Sequence, residues 1–365
     1  MALDSLERDM DIDVAIIGGG LAGLALANRL HRAGLALQLF EARPHFGGRI
    51  AALQDQRGRV DLGPSWFWPG QPRFAKLVAE FGLQAFPQHA TGDIVLEDAT
   101  GTVHRGAGFA SMEGSFRVDG GMIGLIEGLV ATLPANSLHL SCAAEVIGNG
   151  SVHLSDGRRC SARHVVLAIP PRLASGLKYE PALSNEAQKS LAAIPTWMAG
   201  HAKFVATYDR PFWRDKGLSG DAMSRHGPLV EIHDASGADG NPAALFGFVG
   251  VPANARKEHA SRIEGMALEQ LERIFGPKAA RPLQVGLQDW AGERWTATPA
   301  DQAPVQGHPD YRLPPSLVGA ANGRLHFAAT ETAPEMGGLM EGALASAERV
   351  SRAIIEDMRS EMAPS

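Results

Sequence analysis

Read from the amino terminus, the first clear signal is an apolar run, Val14 to Ile17, of the length of a buried strand. Three glycines follow in the spacing G-x-G-x-x-G, at Gly18, Gly20 and Gly23. Apolar residues then recur at helical spacing (Leu21, Leu24, Ala25, Ala27, Leu30) until Gly34 closes the helix. Leu35 to Phe40 reads as a second buried strand, and it ends on Glu41. Further on, Phe74, Leu77, Val78 and Phe81 share one face of a predicted helix over 73–82. Residues 93–105 read as a hairpin turning at Ala99-Thr100-Gly101, and 138–169 as short strands with a turn at Ser155-Asp156-Gly157. The last of these, His164 to Ile169, is stopped by Pro170-Pro171. Strands are predicted over 200–208, 228–234 and 243–251, and helices over 186–194 and 255–276. The proline-rich stretch 299–315 reads as a long ordered loop, 325–329 as a last strand, and Leu339 to about Met358 as a last helix.

The order strand, glycine turn, helix, strand, acid gives the glycine pattern its physical meaning as a dinucleotide fingerprint. Gly18 serves the tight turn, Gly20 lets a pyrophosphate approach the backbone, and Gly23 lets helix and strand pack closely. The first helical N–H groups and the helix dipole then favour phosphate charge. Glu41 stands where an acceptor for a ribose 2′-hydroxyl belongs, which disfavours a 2′-phosphorylated cofactor.

Composition narrows the class. With 365 residues the chain exceeds what one core usually serves, so two domains are expected. A hydrophobic content of 45% with 20% charged residues fits a globular protein. A net charge of −6 with no Lys/Arg cluster argues against a nucleic-acid surface. The two cysteines, Cys142 and Cys160, make no disulfide framework and fit a reducing cytoplasm, the expected compartment. The histidines are scattered without zinc-site spacing, so no metal is expected. Residues 1–13 lack the apolar core of a secretory signal, and no apolar run reaches the ~18 residues of a membrane span.

The fingerprint alone does not choose between NAD and FAD. Glu41-Ala42-Arg43 runs into Gly47-Gly48-Arg49, and this extension resembles the flavin amine oxidase superfamily, of the monoamine oxidase type. Val60-Asp61-Leu62-Gly63-Pro64-Ser65-Trp66 is similar to the family's segment beside the flavin, with Pro64 in place of a glycine. Proline has no N–H, so any backbone donation there is lost. Phe327 to Ala343, FAATETAPEMGGLMEGA, resembles the family's carboxy-terminal FAD motif. The resemblance covers nearly the whole chain and implies an α/β, two-domain FAD-binding Rossmann-type fold, discontinuous in sequence, with an α+β substrate domain. It places 1–72, 117–177 and 284–365 in the FAD-binding domain and 73–116 with 178–283 in the substrate-binding domain. It implies cofactor contacts from Gly18, Gly20, Gly23, Glu41, Arg43, Gly48, Arg49, Gly63, Ser65, Trp66, Val146, Glu331, Gly338, Leu339 and Met340. Val146 is expected to touch the adenine through its backbone, and Met340 to offer a backbone N–H to the reduced flavin.

For catalysis the resemblance singles out Lys203, which in the family holds a water near flavin N5, and Trp290 beside it. The residues alone leave two readings: a mid-strand lysine can also face solvent with Val205 and Thr207, and Trp290 can be a packed core residue. Two departures concern the substrate. The family's aromatic cage needs a tyrosine after Gly338, where this chain has Leu339, and another near Thr298 to Ala300, where none stands. The chain's tyrosines are Tyr179, Tyr208 and Tyr311, none in a cage motif. The missing cage argues against simple monoamine turnover. No cysteine follows residue 160, so FAD is expected to bind non-covalently. The leading expectation is an FAD-dependent amine oxidase-like enzyme, with a small-molecule amine as substrate and O2 as electron acceptor. A non-oxidase flavoprotein of the same fold (dehydrogenase, desaturase or isomerase) and a non-catalytic FAD-binding module are the alternatives.

Overall fold

The computed structural model describes residues 10–303, 305 and 307–362; residues 1–9 and 363–365, within the terminal segments read above, lie outside the described residues. Two sheets organise the chain. The first has eight strands, with Met10–Ile17 at its centre, parallel to Leu37–Phe40 on one side and Arg159–Leu167 on the other. Leu325–Phe327 adds to the far side of Arg159–Leu167, so the carboxy-terminal segment returns to the first strand's neighbour. The strand period of two decides the packing: Val14 and Ile16 meet helix Leu21–Arg32 and helix Met340–Met362, whereas Ala15 and Ile17 meet Phe40, Ile147 and Val152 on the opposite face. Both faces are covered, which is why these strands read as continuous apolar runs.

The second sheet has seven strands, in the order Gln284–Asp289, Ala202–Tyr208, Ala243–Val249, Leu229–Asp234, Leu218–Ser224, Asp93–Glu97, Val103–Arg105. Helix Ala253–Phe275 covers one face, with Ile263, Ala267, Leu271 and Ile274 packed on Phe204, Ala206 and Tyr208. The other face, carrying Val205, Ala244 and Phe246, packs on Val60, Leu62 and Trp66. The two sheets therefore meet across the 52–66 segment, and the functional cavity lies along that junction.

Several elements differ from the sequence expectation. Gln284–Asp289, assigned above to the FAD-binding part, pairs with Ala202–Tyr208 in the second sheet. Lys178–Glu180, assigned to the substrate part, pairs with Val146–Gly148 in the first. Leu218–Ser224 gave no strand signal, because LSGDAMS is neither apolar nor alternating; its burial comes from strands on both sides. Among the described residues no helix is long and apolar enough to cross a membrane, and no group of three or more His, Cys, Asp or Glu is placed to hold a metal ion.

Candidate active site

At one end of the cavity stands the glycine turn. Gly23 is required by the protein itself: a Cβ there would lie 1.9 Å from the Gly18 carbonyl oxygen. Gly20 is different. A Cβ there would meet nothing closer than the Gly48 Cα at 3.7 Å, so internal packing leaves this side open toward the cavity. Helix Leu21–Arg32 starts at that point with no side-chain cap and no acidic residue in its first turn. Free N–H groups and a positive helix end thus face a space bare of side chains, a cradle suited to a pyrophosphate. Glu41, 4% exposed, accepts from the backbone N–H groups of Gly19 at 2.7 Å and Arg43 at 2.8 Å. These bonds fix its carboxylate in the cavity wall while leaving lone pairs for a further donor.

The middle of the cavity is held by two arginines. Arg43, buried, donates to Glu293 at 3.1 Å and to Thr296 at 2.8 Å. Arg49 grips Glu331 with both terminal nitrogens, at 2.6 and 3.2 Å, and Glu331 is wholly buried. Glu331 also accepts the Trp197 N–H at 3.3 Å. Gly48 and Arg49 line the cavity, and across from them Gly338, Leu339 and Met340 line it where helix Met340–Met362 begins. The free N–H groups of this helix N-terminus again favour negative charge in the cavity. Glu341 in its first turn is turned away, bonded to the Phe74 N–H at 2.8 Å.

At the far end sits Lys203. It is 3% exposed, and its ammonium donates to the Gly63 carbonyl at 3.1 Å and the Ser65 hydroxyl at 2.6 Å. It also stands 3.8 Å from the centre of the Phe246 ring. Lys203 shares its face with Val205, but that face packs on the 52–66 segment, so the solvent-facing reading does not hold. Burial pushes its pKa down to about 7, against the pull of Asp61. Asp61 is itself buried; burial pushes its pKa up, while Lys203 and Arg117 pull it down. Trp290, 8% exposed, donates to the Leu62 carbonyl at 3.3 Å, so it is both packed and part of the wall.

One cavity of about 450 Å³ thus gathers the glycine turn, Glu41, Arg43, Gly48, Arg49, the Gly63–Trp66 segment, Lys203, Trp290 and Gly338–Met340. Three expected contact residues stand outside its lining. Gly23 packs behind the turn, Glu331 acts through Arg49, and Val146 lies in strand Ala144–Gly148, whose first residue, with Cys142 and Ala143, lines the Glu41 end instead. Other lining residues carried no signal in the sequence. Trp197, Met198, His201, Phe248 and Trp295 reach the wall from separate elements. Burial and then Arg256 push the His201 pKa below its ordinary value. Trp197 crowds Gly338, where a Cβ would lie 3.0 Å from its ring, and Tyr311 approaches the same glycine to 3.1 Å. The aromatic density that the chain lacks at Leu339 is therefore supplied beside Gly338 from two earlier loops.

A two-sheet α/β fold with a glycine-turn cavity closed by a second helix N-terminus defines a dinucleotide-binding protein. A family model for flavin containing amine oxidoreductase matches residues 96–355, and one for an NAD(P)-binding Rossmann-like domain matches 16–81. The chain belongs to the flavin-containing amine oxidoreductase family and is an FAD-dependent oxidoreductase. It is 26% identical to a probable flavin-containing monoamine oxidase A of Dictyostelium discoideum, over 94% of this chain and 97% of that protein. It is 24% identical to the putrescine oxidase of Kocuria rosea, over 80% and 84%. Among solved structures, cyclohexylamine oxidase from Brevibacterium oxydans IH-35A superposes with a TM-score of 0.79 at 22% identity, over 96% of this chain and all of that one.

Proposed function

We propose that the protein is an amine oxidase-like enzyme acting on a small-molecule amine, with FAD bound non-covalently. FAD held here would supply the redox chemistry: it would accept a hydride equivalent from the C–H next to the amine nitrogen, leaving an imine, and O2 would reoxidise it with release of H2O2. The chain's residues hold and orient. Gly18, Gly20 and the helix end behind them receive the pyrophosphate, and Glu41 takes the ribose. Arg49, fixed by Glu331, and the Gly338–Met340 turn hold the flavin, where the Met340 N–H offers its partial positive charge. Lys203 sits with Ser65 and Trp290 at the far end and orders a water. Cys142, the cysteine in the cavity wall, is hydrogen-bonded to Asp156 and Arg158 and donates its backbone N–H to the Glu41 carbonyl. The observation that carries the reading is Lys203: a buried ammonium in the wall of the cavity that also contains the glycine turn.

The test is the visible spectrum of the purified protein, recorded without oxygen before and after addition of a panel of amines. Bleaching by one amine class, with recovery in air and peroxide release, is expected. A protein bleached by no amine overturns the substrate reading. Leu339 in place of the cage tyrosine favours a second reading, a dehydrogenase of the same fold; slow recovery in air with fast transfer to a dye or quinone distinguishes it.

A further inference from the structure

Behind the cavity wall lies a charged group that the reaction described above does not use. His233, on strand Leu229–Asp234, is 1% exposed and is held at both ring nitrogens. Nδ1 lies 2.7 Å from the Asp221 carboxylate and Nε2 lies 2.9 Å from the Glu231 carboxylate. An ionised carboxylate can only accept, so each contact requires a hydrogen on the imidazole nitrogen. A ring that donates from both nitrogens is an imidazolium. Asp221 is 4% exposed, whereas the Glu231 side chain keeps 26% exposure and also accepts from Ser111.

This cation faces the site through two aromatic rings. Its ring centre is 5.0 Å from that of Trp66, at 78°, and 5.3 Å from that of Phe246. Trp66 lines the cavity, and Phe246 is the ring on which Lys203 rests at 3.8 Å. A cation is attracted to a neighbouring aromatic ring by the ring's quadrupole, the more so where water is excluded. The Trp66 indole N–H is fixed on its other side by Gln88 at 2.8 Å, and Gln88 in turn donates to the Asp234 carbonyl. The ring is thus set from two directions, by one amide and by one cation.

We propose that His233 is a positioning residue: an imidazolium clamped by Asp221 and Glu231 that holds Trp66 in the wall of the cavity and Phe246 packed behind it. This rests on the reading of that cavity as the cofactor and substrate site. Burial opposes the charge on His233, and the two carboxylates outweigh it, so its pKa is raised. The other titratable groups in this layer are His89, which feels Asp221, Asp234 and Arg214, and Lys203 beyond Phe246. His89 is pushed the opposite way, down, by burial and Arg214. The two histidines therefore separate in a titration.

The test uses FAD-loaded protein labelled with ring-15N histidine and 5-fluorotryptophan, with signals assigned by His233→Gln and Trp66→Phe. At pH 7 the His233 ring is expected to carry hydrogen on both nitrogens. As pH rises, the Trp66 fluorine signal is expected to move with the same midpoint as the His233 nitrogens. In His233→Gln that titration of Trp66 is lost. A neutral His233 at pH 7, or a Trp66 signal that ignores its titration, overturns the proposal. The wild-type titration decides the matter even where the variant does not fold. None of these signals depends on turnover, so a protein that no amine reduces refutes the amine reading and leaves this test intact.

Discussion

Arg49 and Glu331 stand 282 positions apart in the chain and form one two-pronged ion pair, with Glu331 wholly buried. The pair ties the first FAD segment to the last. Glu331 is buried, but the Arg49 side chain keeps 28% exposure in the cavity, so removing Glu331 leaves a partly solvated charge, at a cost of about 1–3 kcal/mol. Glu331→Ala is therefore expected to lower the unfolding midpoint strongly and to weaken FAD retention. Arg49→Lys keeps the charge but loses the fork, and is expected to cost less in stability. Denaturant unfolding of the FAD-free proteins measures both; equal midpoints for Glu331→Ala and wild type would refute the assignment.

Gly20 and Gly23 separate binding from folding. A Cβ at Gly23 collides with the Gly18 carbonyl, so Gly23→Ala is expected to destabilise the fold by about 1–3 kcal/mol. A Cβ at Gly20 fits among its neighbours and extended backbone suits alanine there. Gly20→Ala is thus expected to fold normally while losing FAD affinity by roughly tenfold, or ~1.4 kcal/mol. Circular dichroism and flavin titration read the two effects separately. A Gly20→Ala protein that binds FAD as tightly as wild type speaks against the cradle.

Lys203 gives the FAD-free protein a pH dependence of known sign. Its folded-state pKa, about 7, lies below its ordinary value of 10.5, so the fold prefers the neutral amine. Between those values the unfolded chain binds more protons, and stability rises with pH. Lys203→Met removes the buried charge and keeps the bulk. It is expected to be more stable than wild type near pH 7 and to lose that advantage toward pH 10, while turnover of a flavin-reducing amine falls. Urea midpoints at three pH values check the first point and stopped-flow reduction the second.

His164 and His326 form the opposite case in the first sheet. Their rings bond at 3.1 Å, and burial lowers both pKa values, that of His326 to about 4. Burial outweighs the pull of Asp357, which lies 3.3 Å from His164, so the fold favours the neutral forms. The stabilising neutral state is fully present above about 6.5 and is lost as pH falls from there toward 4. His326→Gln is expected to flatten the decline in unfolding midpoint between pH 7 and pH 5. An unchanged slope rules the pair out as its cause.

Much of this architecture was legible in the order of residues. The run Val14–Ile17, the glycine spacing and Glu41 are all local signals, because a turn, a helix start and an adjacent parallel strand are built from contiguous chain. The boundary strands were not legible. Gln284–Asp289 and Lys178–Glu180 are short and half-polar, and each takes its sheet from the neighbour it pairs with. The wall residues Trp197, His201 and Trp295 likewise sit in no motif, since what makes them wall is the strand or loop that faces them.

The sequence by itself determined the dinucleotide turn, the two helix N-termini, and the residue types on offer: a lone mid-strand lysine, a tyrosine-free turn after Gly338, and two cysteines. Only the tertiary structure decided what those residues are. Lys203 is buried because the face it shares with Val205 packs on Val60, Leu62 and Trp66, contacts that join strands more than a hundred residues apart. Charge state follows burial, and burial is a property of the packed whole. So Lys203 near neutrality, the clamped His233 and the Arg49–Glu331 pair all arise where distant segments exclude water together, which no local pattern records.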